Sequence, residues 1–154
     1  MNVIYLDIYN NLIKLTRNKN LYDNSKQDTF YQRMIIFFFH LSFLLKNYKS
    51  SEKKENLQNF FDFCVRQIEL SIREIGYGDA TINKKMKDYV NLLFSIIDKI
   101  DRWERINSDE KKKIINNYID VSSNNEYFVN YFEKYRNFLA KNTFNNLSKD
   151  ILSL

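Results

Sequence analysis

The residues best suited to chemistry lie in one short run, Arg73-Glu74-Ile75-Gly76-Tyr77-Gly78-Asp79, followed closely by Lys84, Lys85 and Lys87. Both glycines of the chain fall inside it. Gly76 stands where a preceding helix must stop, a position that commonly turns left-handed and where a Cβ is costly. Gly78 then lets the chain reverse, and Asp79 is placed to cap the next helix by accepting from its first free N–H groups. The lysines do not fit that plain account. They occupy the first two turns of a helix, where the macrodipole already presents positive charge and each cation is disfavoured by roughly 0.3–1 kcal/mol at low salt. A local rule broken repeatedly in one place points to function. With Arg73 one turn before the turn residues, the apex is electropositive and suited to an acidic or phosphate-bearing partner. The expected contacts are Arg73, Glu74, Tyr77, Asp79, Lys84, Lys85 and Lys87, with Gly76 and Gly78 shaping the turn. Against this stands the simpler reading of a solvated helix–turn–helix corner, in which Arg73 and Glu74 form an internal ion pair.

Other chemistry is poorly supplied. One histidine and one cysteine do not make a zinc site, and Asp98, Asp101 and Glu104 read as a solvated helix face. No phosphate-cradling glycine loop is present. The expectation is therefore no metal, no cofactor and no enzymatic activity. His40 lies within a very apolar stretch and is expected to be buried and hydrogen-bonded between helices, with Asp62 or Glu74 as partner. Haem ligation by His40, making the chain a haem carrier, is the competing use of that ring. The lone Cys64 excludes an internal disulfide and suits a reducing compartment.

These groups must be positioned by helices. The chain has 154 residues, enough for one domain with a continuous core, and its 16% aromatic content is that of a globular protein. Proline is absent and glycine nearly so, which disfavours an all-β fold with its many tight turns. Apolar spacing predicts an all-α, single-domain bundle of about six helices spanning 1–154. They run near Asn2–Arg17, Asp28–Tyr48, Asn56–Ile75, Ala80–Arg105, from Ser108 as N-cap, and Asn125–Lys141, with a short tail helix after Thr143. The second is apolar nearly all round from Met34 to Leu45, so it is either central or a covered groove. Arg33, Phe37, His40, Phe61 and Asp62 are the candidates for such a client groove or for core. In the third, Leu57, Phe61, Cys64, Ile68, Ile72 and Ile75 form the apolar face, beside a charged stripe of Asp62, Arg66, Glu69 and Arg73. Each acid of that stripe precedes its base by four residues, the favourable order. The fourth is expected to bury Ile82, Met86, Tyr89, Val90, Leu93, Ile97 and Ile100, and the sixth Phe128, Tyr131, Phe132, Tyr135 and Leu139.

The net charge of +5 and a pI near 9.1 suit an acidic partner surface, whether anionic lipid, RNA or protein. Met1 to Leu12 lacks the pattern of a signal peptide. The dozen or so residues from Met34 to Leu45 reach roughly 18 Å as a helix, short of a hydrocarbon core of about 30 Å. A soluble or membrane-peripheral protein is expected.

The run from Ile68 to Lys87 resembles the ubiquinol–cytochrome c chaperone family, whose hallmark is a leucine-Arg-Glu-x-Gly-x-Gly-Asp string followed by a basic segment. Upstream, Leu57, Gln58, Phe61 and Asp62 agree, as do Asp28-Thr29, Arg33 and His40 in the family's Asp-Thr-x3-Arg-x6-His spacing. The resemblance covers about Asp28 to Phe94, with weaker agreement near Ile115 to Tyr118, giving a family-like core of about 28–118. It departs at Ser95-Ile96-Ile97, where the family carries a Tyr-Gly-Arg-like string, and at Asn116-Asn117, where an Arg-Asn pair is expected. The resemblance implies an assembly factor for the cytochrome bc1 complex that attends newly made cytochrome b or another bc1 subunit, partly near the ribosome exit. A cytoplasmic protein or one peripheral at the inner membrane follows, bacterial or a mature core, with no DNA partner. An RNA- or ribosome-binding module using the basic corner is the alternative from another class.

Overall fold

The computed structural model describes residues 3–22, 29–119 and 124–149. Six α-helices carry the architecture: α1 (Val3–Thr16), α2 (Phe30–Tyr48), α3 (Lys54–Ile75), α4 (Asp79–Ile100), α5 (Ser108–Tyr118) and α6 (Asn125–Ala140). Short 3₁₀ turns follow at Lys19–Leu21, Trp103–Arg105 and Asn145–Ser148. No strand occurs among the described residues. The expected helix starts at Asn2 and Asp28 fall outside them.

The centre of the bundle is α2, because its apolar residues surround the whole helix. Every residue from Met34 to Leu44 is buried, so this helix is core along its length. Its start is fixed by the Thr29 hydroxyl, which accepts from the Gln32 N–H at 3.1 Å. Near its end Lys46 donates to the carbonyls of Ile100 and Asp101 and pairs with Glu104 at 2.8 Å, placing a cation on the negative end of α4. Helices α2 and α4 therefore run in the same sense. On the other side α1 runs parallel to α3, with the Tyr5 ring 5.5 Å from Phe60 and the Tyr9 ring 6.3 Å from Phe63.

Helix α6 lies along α2. Phe132 stacks on Phe39 and Phe43, with centroids 5.5 and 5.2 Å apart, and the expected face of Phe128, Tyr131, Phe132, Tyr135 and Leu139 is buried. Glu133 ties this helix to the turn before α5, accepting from the Trp103 indole at 2.5 Å and pairing with Lys111 and Arg136. The segment after Thr143 forms a 3₁₀ turn held on α1, where the buried Asn11 amide donates to the carbonyls of Leu147 and Lys149 at 2.8 and 2.7 Å.

Several local expectations are corrected. In α3 the fully buried phenylalanine is Phe60; Phe61 is half-buried, and Ile75 is 52% exposed beyond the edge of the bundle. In α4 the buried residue missing from the pattern is Ile96, while Met86, Tyr89, Val90 and Ile97 are half-buried. That helix ends at Ile100 rather than running on to Arg105. The N-cap of α5 is Asn107, whose side chain accepts from the Glu110 N–H at 2.9 Å, and Ser108 is the first helical residue. In the charged stripe, Arg66 pairs with Glu69 at 3.3 Å, three residues on, while Asp62 accepts from Gln58 at 3.0 Å.

Candidate functional site

The corner between α3 and α4 is built as the glycines suggest at one position and differently at the next. Gly76 ends α3 in the left-handed region at φ 103°, its N–H donating to the Arg73 carbonyl. An L side chain is strained there by the backbone itself, although a Cβ would meet no other atom within 4 Å. Gly78 has an ordinary φ of −71° and is itself the N-cap of α4, again with open space around it. The expected cap, Asp79, is instead the first helical residue, and its carboxylate faces back across the corner. There it accepts from Arg73 Nη1 at 2.9 Å, while Arg73 Nε donates to Glu69 at 3.0 Å. Two carboxylates thus hold the guanidinium; the Asp79 hydrogen bond, followed by that of Glu69, raises its pKa.

This changes the character of the apex. Arg73 is engaged internally, though with Asp79 and Glu69 rather than with Glu74, which is exposed. Lys85 lies over the Tyr77 ring, 4.8 Å from its centroid, a cation–π contact on a ring that is itself 42% exposed. Lys84 and Lys87 are exposed and make no ion pair with a described residue. The exposed cations of the α4 start are these two lysines, and they stand beside the exposed carboxylates of Glu74 and Asp88.

Helical spacing carries the same face down α4. Lys84, Lys87, Asn91 and Phe94 are all exposed and follow one another at three, four and three residues. Phe94 is 53% exposed and rests on Phe61 of α3 in a stacked pair, 5.6 Å between centroids. Two cations and an exposed aromatic platform therefore lie along one side of the α3/α4 hairpin. Sequence alone offers little hint of Phe94 as a surface residue, because a lone phenylalanine beside Leu93 reads as core.

The five residues expected as a groove or core are separated. Phe37 and His40 are buried, Arg33 is half-buried at the first turn of α2, Phe61 belongs to the α3/α4 stack, and Asp62 is exposed. Arg33 and Phe37 do border a groove, of about 780 Å³, between α1, α2 and α3. Its α1 wall, including Tyr9, Lys14 and Arg17, carries no signal in the sequence, since basic residues at a helix C-terminus need no further reason.

His40 is fully buried, and both ring nitrogens are engaged. Nδ1–H donates to the Ile36 carbonyl at 2.8 Å, leaving Nε2 to accept from the Tyr131 hydroxyl at 2.7 Å. The expected burial and helix-linking role hold, but the partners are on α2 and α6 instead of Asp62 or Glu74. Desolvation pushes its pKa down to about 4, partly offset by the Ile36 hydrogen bond. A haem iron would have to displace one of these bonds inside a packed aromatic cluster.

A family model described as ubiquinol-cytochrome C chaperone matches residues 25–110, more than half of the chain, and the protein belongs to that family. The matched stretch holds α2, α3, α4 and the corner between them. No curated protein matches the chain. No solved structure matches it either. Membership of a chaperone family for the ubiquinol–cytochrome c (bc1) complex implies an assembly role and a non-enzymatic one. No helix among the described residues is long and apolar enough to cross a membrane.

Proposed function

We propose that the protein is a chaperone for bc1 assembly that binds newly made cytochrome b, or another bc1 subunit, along the outer face of the α3/α4 hairpin. The observation that carries this reading is the stripe of Lys84, Lys87 and the stacked, exposed Phe94, within the segment matched by the family. An amphipathic client segment docks on such a surface by laying apolar residues on the aromatic platform while its acidic end or flanking loop meets the lysines. Tyr77, held by Lys85, extends the aromatic surface at the apex, and Arg73, Glu74 and Asp79 border it. The same composition, lysine beside tyrosine, suits contact with an anionic membrane surface, so the work can be done at the inner membrane by a peripheral protein.

Co-purification from a membrane extract in gentle detergent tests the reading. Cytochrome b is expected with the wild-type protein and strongly reduced with Phe94→Ser or with Lys84→Glu/Lys87→Glu. Consistent absence of cytochrome b and other bc1 subunits with the wild-type chain would refute it.

The exposed lysines of α4 favour a second reading, docking on RNA or the ribosome. It calls for binding that weakens steeply with salt. Ribosome association that survives Lys84→Glu/Lys85→Glu/Lys87→Glu would dispose of it.

A further inference from the structure

The groove between α1, α2 and α3 shares no described lining residue with the Phe61–Phe94 stack of the hairpin. The apolar part of its floor is formed by Met34 and Phe37 of α2 and Ile68 of α3, with Phe30 and Tyr9 beside them, next to the buried polar Asn11 and Thr16 of α1. Its rim carries basic residues, Lys14 of α1, Arg17 directly after that helix, Arg33 of α2 and Lys149 of the C-terminal segment. Asp7 is the acidic residue among its described walls. Lys14, Arg17 and Lys149 are exposed, and their side chains make no ion pair with a described residue. Burial, the largest effect, pushes the Tyr9 hydroxyl up to about 12, so it faces the groove as a neutral phenol.

Size and charge together narrow the occupant. A volume of about 780 Å³ falls in the range of roughly 300–1,000 Å³ that small-molecule sites occupy. An apolar floor alone would take any greasy ligand. Among the described walls the exposed Lys14, Arg17 and Lys149 outnumber Asp7, which favours a negative head.

We propose that this groove binds a small amphipathic anion, a phosphate or carboxylate head on an apolar chain, with the head at Lys14 and Arg17 and the chain over Phe30, Met34 and Phe37. A lipid headgroup with its chain and a free alkyl acid share this chemistry. The site is separate from the hairpin face and does not depend on the assembly role.

Decyl phosphate, titrated below its micelle concentration into the purified protein and followed by calorimetry and amide NMR shifts, is the direct probe. Saturable binding at one site is expected, with shifts confined to α1 and Arg17, the start of α2, the last third of α3 and the segment at Lys149. Decyl trimethylammonium and inorganic phosphate should each bind at least about tenfold more weakly, since each lacks half of the recognition. Lys14→Glu/Arg17→Glu, both exposed positions, should weaken decyl phosphate by about tenfold or more with an unchanged melting curve. Lys84→Glu/Lys87→Glu should leave it unaffected. Decanoate and a lysophosphatidylglycerol of equal chain length then distinguish a free acid from a lipid as the better ligand. The proposal is overturned by the absence of saturable binding, by equal binding of the cationic chain, by loss of binding in the hairpin variant alone, or by preference for an acidic aromatic peptide that decyl phosphate does not displace.

Discussion

Arg73 and Asp79 face each other across the α3/α4 corner, Nη1 to Oδ1 at 2.9 Å, so the last turn of one helix is tied to the first residue of the next. The pair spans both glycines. Its Asp79 side chain is 86% exposed, so water and salt screen it heavily.

Asp79→Asn should consequently lower the thermal midpoint by no more than about 2 °C at low salt, with the difference vanishing in concentrated sodium chloride. Paired melts at the two ionic strengths check this. A large loss that persisted in high salt would mean that Asp79 caps the helix after all.

The two glycines should differ in their tolerance of a side chain. Gly76→Ala forces a side chain into the left-handed region and is expected to cost about 1–2 kcal/mol in urea denaturation. Gly78→Ala meets an ordinary φ and open space, so the reduced freedom of the unfolded chain offsets the poorer N-cap and stability should stay within about 1 kcal/mol of the parent. If Gly78→Ala nonetheless impairs recovery of cytochrome b, that glycine serves a close approach by the partner.

His40 gives stability a pH dependence of definite sign. Its folded pKa of about 4 lies below the unfolded value of about 6.5, so the unfolded chain binds the proton more readily between them. Its contribution is complete above about pH 6.5 and is lost as pH falls toward 4, by on the order of 3 kcal/mol. Urea titrations between pH 7 and 4.5 should show this slope, and His40→Phe should flatten it while lowering stability at pH 7.

Cys64 is wholly buried on α3, and burial holds its thiol well above the usual range. Ellman's reagent should therefore react with the native protein only as fast as the molecule opens, and at once in denaturant. Prompt labelling of the native state would contradict the packing of α3.

The helices are legible in the sequence because their apolar periodicity is strong, and the buried face of α6 follows it throughout. The departures share a cause. In α3 the sequence Leu57, Cys64, Ile68 admits either Phe60 or Phe61 between its members, because spacings of three and four serve equally. The choice is settled by neighbours: Phe60 meets Tyr5 and Phe144, while Phe61 turns to Phe94 at the surface. Ile75 fits the apolar period but lies beyond the last neighbour that would cover it. Caps are ambiguous for a similar reason, since Asn107 and Ser108 are both good N-caps and one residue decides between them. At the corner the residue types are legible, yet their pairing is not. Arg73 finds Asp79 six residues away only because Gly76 bends the chain back toward it.

The contact between α2 and α6 has a further consequence. Two parallel helices coated with phenylalanine and tyrosine adhere well in many relative positions, since a slide of one turn exchanges one ring for another. Three directional bonds do not survive such a slide: Tyr131 to His40 Nε2, Tyr135 to the His40 carbonyl at 2.8 Å, and Tyr48 to the Leu139 carbonyl at 3.1 Å. Out of step, each would leave a buried polar group without its partner, at a cost of about 1–3 kcal/mol apiece. These bonds act as index pins: the aromatic rings supply the adhesion, and the three polar rungs decide where along the helix it sets.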